Sequence, residues 1–136
     1  MIYQDLIYKL AFLDKFSFDK EEKEDLNLVD FKSCQHYISF QCELNPLIEK
    51  IKLSCKGCIL FRASSNAICL EIEGKTKEEA LKITKKFLDM LDGKYERAQE
   101  INEKYLELFW KFQHSTTRKE CLKSGAQEIL NYLLTK

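Results

Sequence analysis

The strongest constraint on the fold is a pair of runs with a period of two, separated by the only proline in the chain. Apolar and polar residues alternate over Tyr37–Leu44 and again over Lys50–Cys55. Such alternation is typical of half-buried strands, and Asn45-Pro46 between the runs is a strong turn signal. The runs therefore predict a β-hairpin. An earlier strand around Leu26–Phe31 would complete a small antiparallel three-stranded β-meander.

Helical periodicity dominates the rest of the chain. Leucine and isoleucine residues three and four positions apart predict an amphipathic helix over residues 2–14, and the polar segment 17–30 predicts a loop. Four further helices are predicted after Gly57, over about 58–74, 76–93, 96–112 and from about 118 onward. Gly74 and Gly93 are expected to end two of them, and Thr76 with Glu79 forms a capping-box pattern.

The order of these elements predicts the α+β class, with the meander packed against about five helices. A chain of 136 residues is long enough to bury a core and corresponds to about one domain. We therefore expect a single domain over residues 1–136.

Charge and hydropathy exclude several classes of function. The 22 basic residues balance the 22 acidic ones, which argues against nucleic acid as the partner. Apolar stretches are short and interrupted by charge, so no membrane span is expected. The amino terminus mixes Asp and Lys with apolar residues and does not resemble a signal peptide. We expect a cytoplasmic protein, in which cysteines bind metal or carry sulfur chemistry rather than form disulfides.

The six cysteines fall into two groups by their predicted setting. Three of them alternate or repeat with apolar neighbours and are predicted to be packed as small hydrophobic residues, namely Cys42, Cys55 and Cys69. The other three stand at the ends of elements and are candidates for one site. Cys34 lies in a polar loop before the first strand of the hairpin, Cys58 follows Gly57 between a strand and a helix, and Cys121 lies near the start of the last helix. The positive end of that helix, with Arg118 nearby, is expected to lower the pKa of the Cys121 thiol.

A metal site is the chemistry that this second group favours. His36 stands two residues after Cys34, and Cys34, His36, Cys58 and Cys121 together give the three thiolates and one imidazole that suit tetrahedral zinc. Two other interpretations remain open at this point. His36 in a polar loop is equally consistent with a solvated side chain, and Cys55-Lys56-Gly57-Cys58 has the spacing of one half of a zinc knuckle.

The stretch from Cys34 onward resembles the iron–sulfur scaffold proteins of the SufU, IscU and NifU amino-terminal type. Its loop Cys34-Gln35-His36 precedes the hairpin, and Gly57-Cys58 precedes the Ser- and Ala-rich run 62–67. A Gly-Lys-Thr turn follows at 74–76, and the third cysteine is Cys121. The long separation between Cys58 and Cys121, and an arginine at position 118, are similar to the SufU branch.

The resemblance implies function as well as fold. SufU-like members bind zinc at three cysteines and a loop aspartate and accept persulfide sulfur from a cysteine desulfurase. On that basis Cys34 is predicted to be the sulfur acceptor, and Arg118 to stabilise the anionic persulfide or else to form a surface salt bridge. This sequence departs from the family at the loop, where Gln35 and His36 replace the family's glycine and aspartate.

Three functions are consistent with this ligand set. The first is a zinc-binding sulfur acceptor for a cysteine desulfurase, which would act as a zinc-dependent sulfurtransferase or as a scaffold without catalysis. The second is a scaffold that transiently assembles a [2Fe-2S] cluster on the same ligands for apo iron–sulfur proteins or other assembly factors. The third is a zinc-stabilised interaction domain without sulfur transfer. A monomer or weak dimer is expected in each case.

Overall fold

Over the residues that the structure describes, the chain forms five α-helices and an antiparallel sheet. The computed structural model describes residues 2–17, 27–31 and 34–136, and for 2–3, 27–31 and 34–35 it describes only the backbone. The elements in chain order are α1 (Ile2–Ala11), β1 (Asn27–Phe31), β2 (Cys34–Leu44), β3 (Ile48–Lys56), α2 (Ile59–Ile72), α3 (Lys77–Leu91), α4 (Lys104–Glu107) and α5 (Thr116–Leu134). The predicted α+β class, with an antiparallel sheet beside about five helices, is confirmed.

The sheet is built around the hairpin of β2 and β3. These strands are antiparallel, as the alternating runs predict, and Phe40 lies opposite Leu53. Strand β1 pairs antiparallel with the start of β2, in the order β1–β2–β3. The buried residues Ile38, Phe40 and Leu53 contribute to the hydrophobic core. One face of the hairpin therefore packs against the helices.

Helix α2 lies at the centre of the molecule. Every residue from Ala63 to Cys69 is buried, and α1, α5 and the sheet all pack against it. Its buried polar side chains are satisfied: the hydroxyl of Ser65 donates to the carbonyl of Phe61 (2.8 Å), and the amide of Asn66 donates to the carbonyl of Leu10 (2.8 Å). A Ser- and Ala-rich sequence thus allows close approach on several sides without leaving polar groups unpaired.

The predicted helix boundaries around α3 are confirmed. Thr76 and Glu79 form the capping box, in which each side chain accepts a hydrogen bond from the backbone of the other. Gly74 (φ 81°) follows the end of α2 and Gly93 (φ 79°) follows the end of α3. Both glycines adopt the left-handed conformation that terminates a helix.

The predicted helix over residues 96–112 is wrong. Two 3-10 turns, Ala98–Glu100 and Trp110–His114, flank the four-residue α4, and Asn102 between them has a positive φ of 55°. The apolar side chains of this stretch are buried although their positions do not follow one helical stripe; they are Ile101, Leu106, Leu108, Phe109 and Phe112. Burial in the common core therefore decides the path of this segment more than local periodicity does.

Two further boundaries differ from the sequence prediction. Helix α1 ends at Ala11 rather than at residue 14. Residues 27–30 carry two overlapping sequence predictions, a strand and a loop; Asn27–Phe31 forms β1, so the loop is wrong there. Residues 18–26 of that loop, including Leu26, lie outside the described residues. Among the helices of the described ranges, none has the length and hydropathy needed to cross a membrane.

Candidate metal centre

Three potential metal ligands from three different elements meet at one end of α2. His36 comes from β2, Cys58 immediately precedes α2, and Cys121 comes from α5. One ligand atom from each side chain lies within 4.8 Å of the other two, and Sγ of Cys58 is 3.4 Å from Nε2 of His36. The fold therefore brings together residues that are far apart in the sequence and all able to bind a soft or borderline metal ion.

The distance between these two atoms fits a tetrahedral metal ion. Zinc bonds of about 2.3 Å to sulfur and about 2.0 Å to nitrogen place the two ligand atoms roughly 3.5 Å apart at the tetrahedral angle. The observed separation between Sγ of Cys58 and Nε2 of His36, 3.4 Å, is close to that value. The same two atoms also lie within range of a hydrogen bond to sulfur.

His36 is fully buried, which makes the interpretation as a solvated loop residue wrong. Its ring stacks on Phe61 with 4.2 Å between centroids and 4° between planes. Burial lowers the pKa of the imidazole, so the neutral form that binds metal is favoured. The polar loop predicted for 34–36 is also wrong, because β2 already begins at Cys34.

The second ring nitrogen of His36 has an unusual environment. Nδ1 is buried and has no hydrogen-bond partner among the described residues. A histidine that binds metal through Nε2 carries its proton on Nδ1. The contact of Nε2 with Sγ of Cys58 makes Nε2 the ring atom that faces this ligand.

Cys58 is the N-cap of α2. Its backbone is extended (φ −71°, ψ 165°), and Sγ accepts a hydrogen bond from the N–H of Phe61 at 3.5 Å. The first N–H groups of a helix have no acceptor within the helix. The sulfur atom of Cys58 accepts a hydrogen bond from one of them, as the side-chain oxygen of serine or aspartate does at other helix starts. The helix start therefore fixes the side chain of Cys58 beside the sheet.

Cys121 reaches the centre because α5 packs very closely on α2. Gly125, one turn further along α5, faces Ser65, and a Cβ atom at this glycine would collide with the Ser65 hydroxyl. Cys121 is buried in the second turn of α5. Cys121 therefore lies one turn beyond the start of α5, and the predicted effect of the helix end on its thiol stays a prediction.

We expect Gly125→Ala to destabilise the protein by about 1–3 kcal/mol, the usual range for overpacking a tight core. The added methyl group must push α5 away from Ser65, and with it Cys121 from Cys58. Denaturant unfolding of the metal-free protein measures the loss. Ser65→Ala, added to Gly125→Ala, removes the hydroxyl with which the new methyl group would collide and should recover part of the lost stability. A double variant no more stable than Gly125→Ala would contradict this account.

The other two predicted site residues are placed less completely. Cys34 is the first residue of β2 and pairs with Phe31, but its side chain lies outside the described part of the chain. Arg118 is exposed, and its guanidinium lies over the ring of Phe112 at 5.9 Å. It lines an open groove of about 400 Å³ together with Tyr8 and Lys111. Their roles in the site stay predictions.

The remaining thiols have a different environment. Cys69 is fully buried, which raises its pKa well above the usual value, and burial raises the pKa of Cys55 to about 11 and that of Cys42 above its usual value. These thiols are therefore protonated at neutral pH. Among the described side chains, the group of ligand atoms includes Cys58 and not Cys55, so the zinc-knuckle interpretation gains no support.

Sequence reasoning missed the residues that arrange the ligands. Gly57, Phe61 and Gly125 each contact a ligand or the helix that carries one. In the sequence Gly57 belongs to the Gly57-Cys58 motif, and Phe61 has no pattern that distinguishes it from an ordinary core residue. A glycine inside an otherwise helical run was the one available signal, since it often marks close packing.

Comparison with solved structures identifies the fold. One neighbour, FiSufU from thermophilic Fervidobacterium islandicum AW-1, is assigned as an iron–sulfur cluster assembly scaffold protein for the SUF system. It aligns over 92% of this chain and 93% of its own, with a TM-score of 0.71 and 24% identity. The chain has the same fold as FiSufU. The resemblance seen in the sequence is thus confirmed at the level of the fold.

Two further neighbours share this SufU-like fold. A nitrogen-fixing NifU-like protein (N-terminal) from Brucella abortus aligns over 96% of this chain and 90% of its own, with a TM-score of 0.64 and 17% identity. A protein described as hypothetical aligns over 98% of this chain and 97% of its own, with a TM-score of 0.81 and 21% identity. No protein-family model and no curated protein matches the sequence.

Proposed function

We propose that this protein is a zinc-binding sulfur acceptor of iron–sulfur cluster assembly that works with a cysteine desulfurase. The observation that carries the proposal is the convergence of His36, Cys58 and Cys121 within 4.8 Å at one end of α2 in a SufU-like fold. Imidazole and thiolate are both preferred ligands of zinc, and the spacing of Nε2 and Sγ suits tetrahedral geometry. A binding site of this composition is suited to sulfur chemistry.

Cys34 is proposed as the fourth ligand and as the acceptor. It stands two positions before His36 in β2, and alternate residues of a strand share one face of the sheet. The resemblance to SufU-like proteins gives the same residue this role. When bound, zinc holds cysteine side chains as thiolates, the nucleophilic form of the residue.

The transfer step is a thiol exchange. The Cys34 thiolate attacks the terminal sulfur of the persulfide on the desulfurase cysteine, and a new sulfur–sulfur bond forms. The bond between the two sulfur atoms of the donor breaks, and the donor cysteine leaves as a thiolate. One persulfide is consumed and one is formed on Cys34, so the total charge and the oxidation state of the pair are unchanged.

Arg118 is proposed to attract the anionic persulfide toward the site. It lies three residues before Cys121 in α5 and is exposed beside a groove that also contains Lys111. Two cationic side chains on one open surface raise the local concentration of an anionic group. Within this proposal Arg118 acts on the approaching donor and is not a ligand.

The test combines metal analysis with desulfurase kinetics. Freshly purified protein is analysed for zinc and iron, and its effect on the turnover of a cysteine desulfurase is measured. One zinc per chain and a faster turnover are the expected results. Anaerobic reconstitution that gives visible [2Fe-2S] bands in place of retained zinc supports the scaffold alternative instead. Zinc without any stimulation indicates a structural domain, and absence of both metals refutes the proposal.

A further inference from the structure

We infer that Gly57 and Phe61 are positioning residues that hold the His36 ring with Nε2 directed at Sγ of Cys58. This inference rests on the proposed metal function and assigns the residues that preorganise its histidine ligand. Neither residue offers a ligand atom from its side chain. Their action is through His36, and through the helix start that carries Cys58.

Phe61 contacts two of the three ligands, and its ring lies near the point where the helix that carries the third ligand approaches α2. Its ring stacks on His36 almost in parallel, and its backbone N–H donates to Sγ of Cys58. Its Cε1 atom would lie 3.4 Å from a Cβ atom at Gly125, the point where α5 approaches α2. Phe61 itself is fully buried, and its carbonyl accepts hydrogen bonds from the hydroxyls of two serines, Ser64 and Ser65. It therefore has little freedom to move.

Gly57 bounds the ring at the edge that carries the proposed ligand atom. A Cβ atom at Gly57 would lie 2.5 Å from Cδ2 of His36 and 3.0 Å from Cδ2 of Phe61. Cδ2 of the imidazole is bonded directly to Nε2, so a side chain at position 57 would displace that nitrogen. Only glycine allows the strand end to approach the stacked rings this closely.

This arrangement restricts the rotation of the His36 ring about its second side-chain torsion. The second side-chain torsion of histidine has a broad energy profile, so an unsupported ring samples many orientations. The parallel stack on Phe61 and the close backbone at Gly57 restrict the ring to one plane. The conformational entropy of the His36 side chain is then lost when the protein folds and not when the metal binds. Loss of such support typically weakens metal affinity by about 10- to 100-fold.

The first test compares two phenylalanine substitutions. Phe61→Leu removes the stack but keeps an apolar side chain, and Phe87→Leu makes the same change at a fully buried phenylalanine in α3 that packs edge-on against Phe109. We expect zinc Kd to rise about 10- to 100-fold for Phe61→Leu and to change less than about threefold for Phe87→Leu. The absorption bands of the cobalt-substituted protein should shift only for Phe61→Leu, because those bands report ligand geometry. Equal effects of the two substitutions would refute the inference.

The second test is a double-mutant cycle between Gly57 and His36. Gly57→Ala carries a backbone strain of its own, because φ at this position is 156°. That strain is the same in a His36→Asp background, where no ring is present to be displaced. We expect Gly57→Ala to weaken zinc binding at least about tenfold more in the wild-type background than in His36→Asp. Additive effects would show that Gly57 does not act through the ring.

A third measurement separates this inference from the proposed function. NMR relaxation measured on the His36 ring of the metal-free protein reports the mobility of the ring. A rigid ring that becomes mobile in Phe61→Leu, but not in Phe87→Leu, is expected. If the wild type binds no metal while the ring behaves in this way, the proposed function fails and the positioning role stands. A ring that is already mobile in the wild type overturns the positioning role, whatever metal is bound.

Discussion

Cys58→Ser is expected to raise the zinc Kd by about a hundredfold or more. A structural zinc site contributes about 10–16 kcal/mol over four ligands, so one ligand accounts for roughly 3 kcal/mol, equivalent to more than a hundredfold. A serine hydroxyl at the start of α2 can still accept the N–H of Phe61, so the helix should form normally. Competition with a chromophoric chelator measures the affinity, and circular dichroism checks the fold.

Cys55→Ser is the matched control for this substitution. It makes the same chemical change three residues earlier, at a thiol whose pKa burial raises to about 11 and which lies outside the group of ligand atoms. We expect this variant to retain the zinc affinity of the wild type within about threefold, because no ligand is lost. If Cys55→Ser loses as much affinity as Cys58→Ser, the zinc-knuckle pair of Cys55 and Cys58 replaces the centre proposed here.

Cys34→Ser is expected to lower sulfur acceptance from a cysteine desulfurase at least about a thousandfold. The substitution replaces the proposed nucleophile with a hydroxyl, which does not attack a persulfide at neutral pH. Zinc binding should weaken as well, so the transfer is measured with zinc in excess. Persulfide formation is followed by alkylation and mass spectrometry of the intact protein.

The location of the accepted sulfur makes this prediction specific. In the wild type the persulfide should map to the peptide containing Cys34, and Cys55→Ser should accept sulfur at the normal rate. A Cys34→Ser variant that still accepts sulfur would show that another thiol, Cys58 or Cys121, is the acceptor. The metal centre would then stand, and the assignment of the nucleophile would not.

Local signals in the sequence were sufficient where neighbouring residues decide the conformation. The capping box at Thr76 and Glu79, the glycine ends of α2 and α3, and the hairpin around Pro46 all depend on residues a few positions apart. The free energy that stabilises such a feature comes from a turn, a cap or an alternating face. All the interacting groups therefore lie within a few positions of one another in the sequence.

The sequence failed where distant packing decides the conformation. Residues 96–112 contain helix-forming and apolar residues, yet their apolar side chains are buried along an irregular path. The carboxylate of Glu71 in α2 accepts a hydrogen bond from the backbone N–H of Tyr105 at 2.9 Å and holds part of this segment. A partner more than thirty positions away cannot be seen in a local pattern.

The candidate centre shows the same division. Residue types and their order in the chain made His36, Cys58 and Cys121 candidates, because few side chains bind metal and the two cysteines stood at the ends of predicted elements. The setting of His36 was wrong, since a polar neighbourhood in sequence suggested solvent whereas the ring is buried against Phe61. Burial depends on what packs over a residue and not on its neighbours in the chain.

By itself the sequence determined the class of fold, the hairpin, the capped helices and a set of candidate metal ligands. Only the tertiary structure decided that three of those residues meet within 4.8 Å, and which residues make this contact possible. The physical reason is close packing. The approach of β2, α2 and α5 depends on missing Cβ atoms at Gly57 and Gly125 and on the ring of Phe61, and these act between elements that are far apart in the chain.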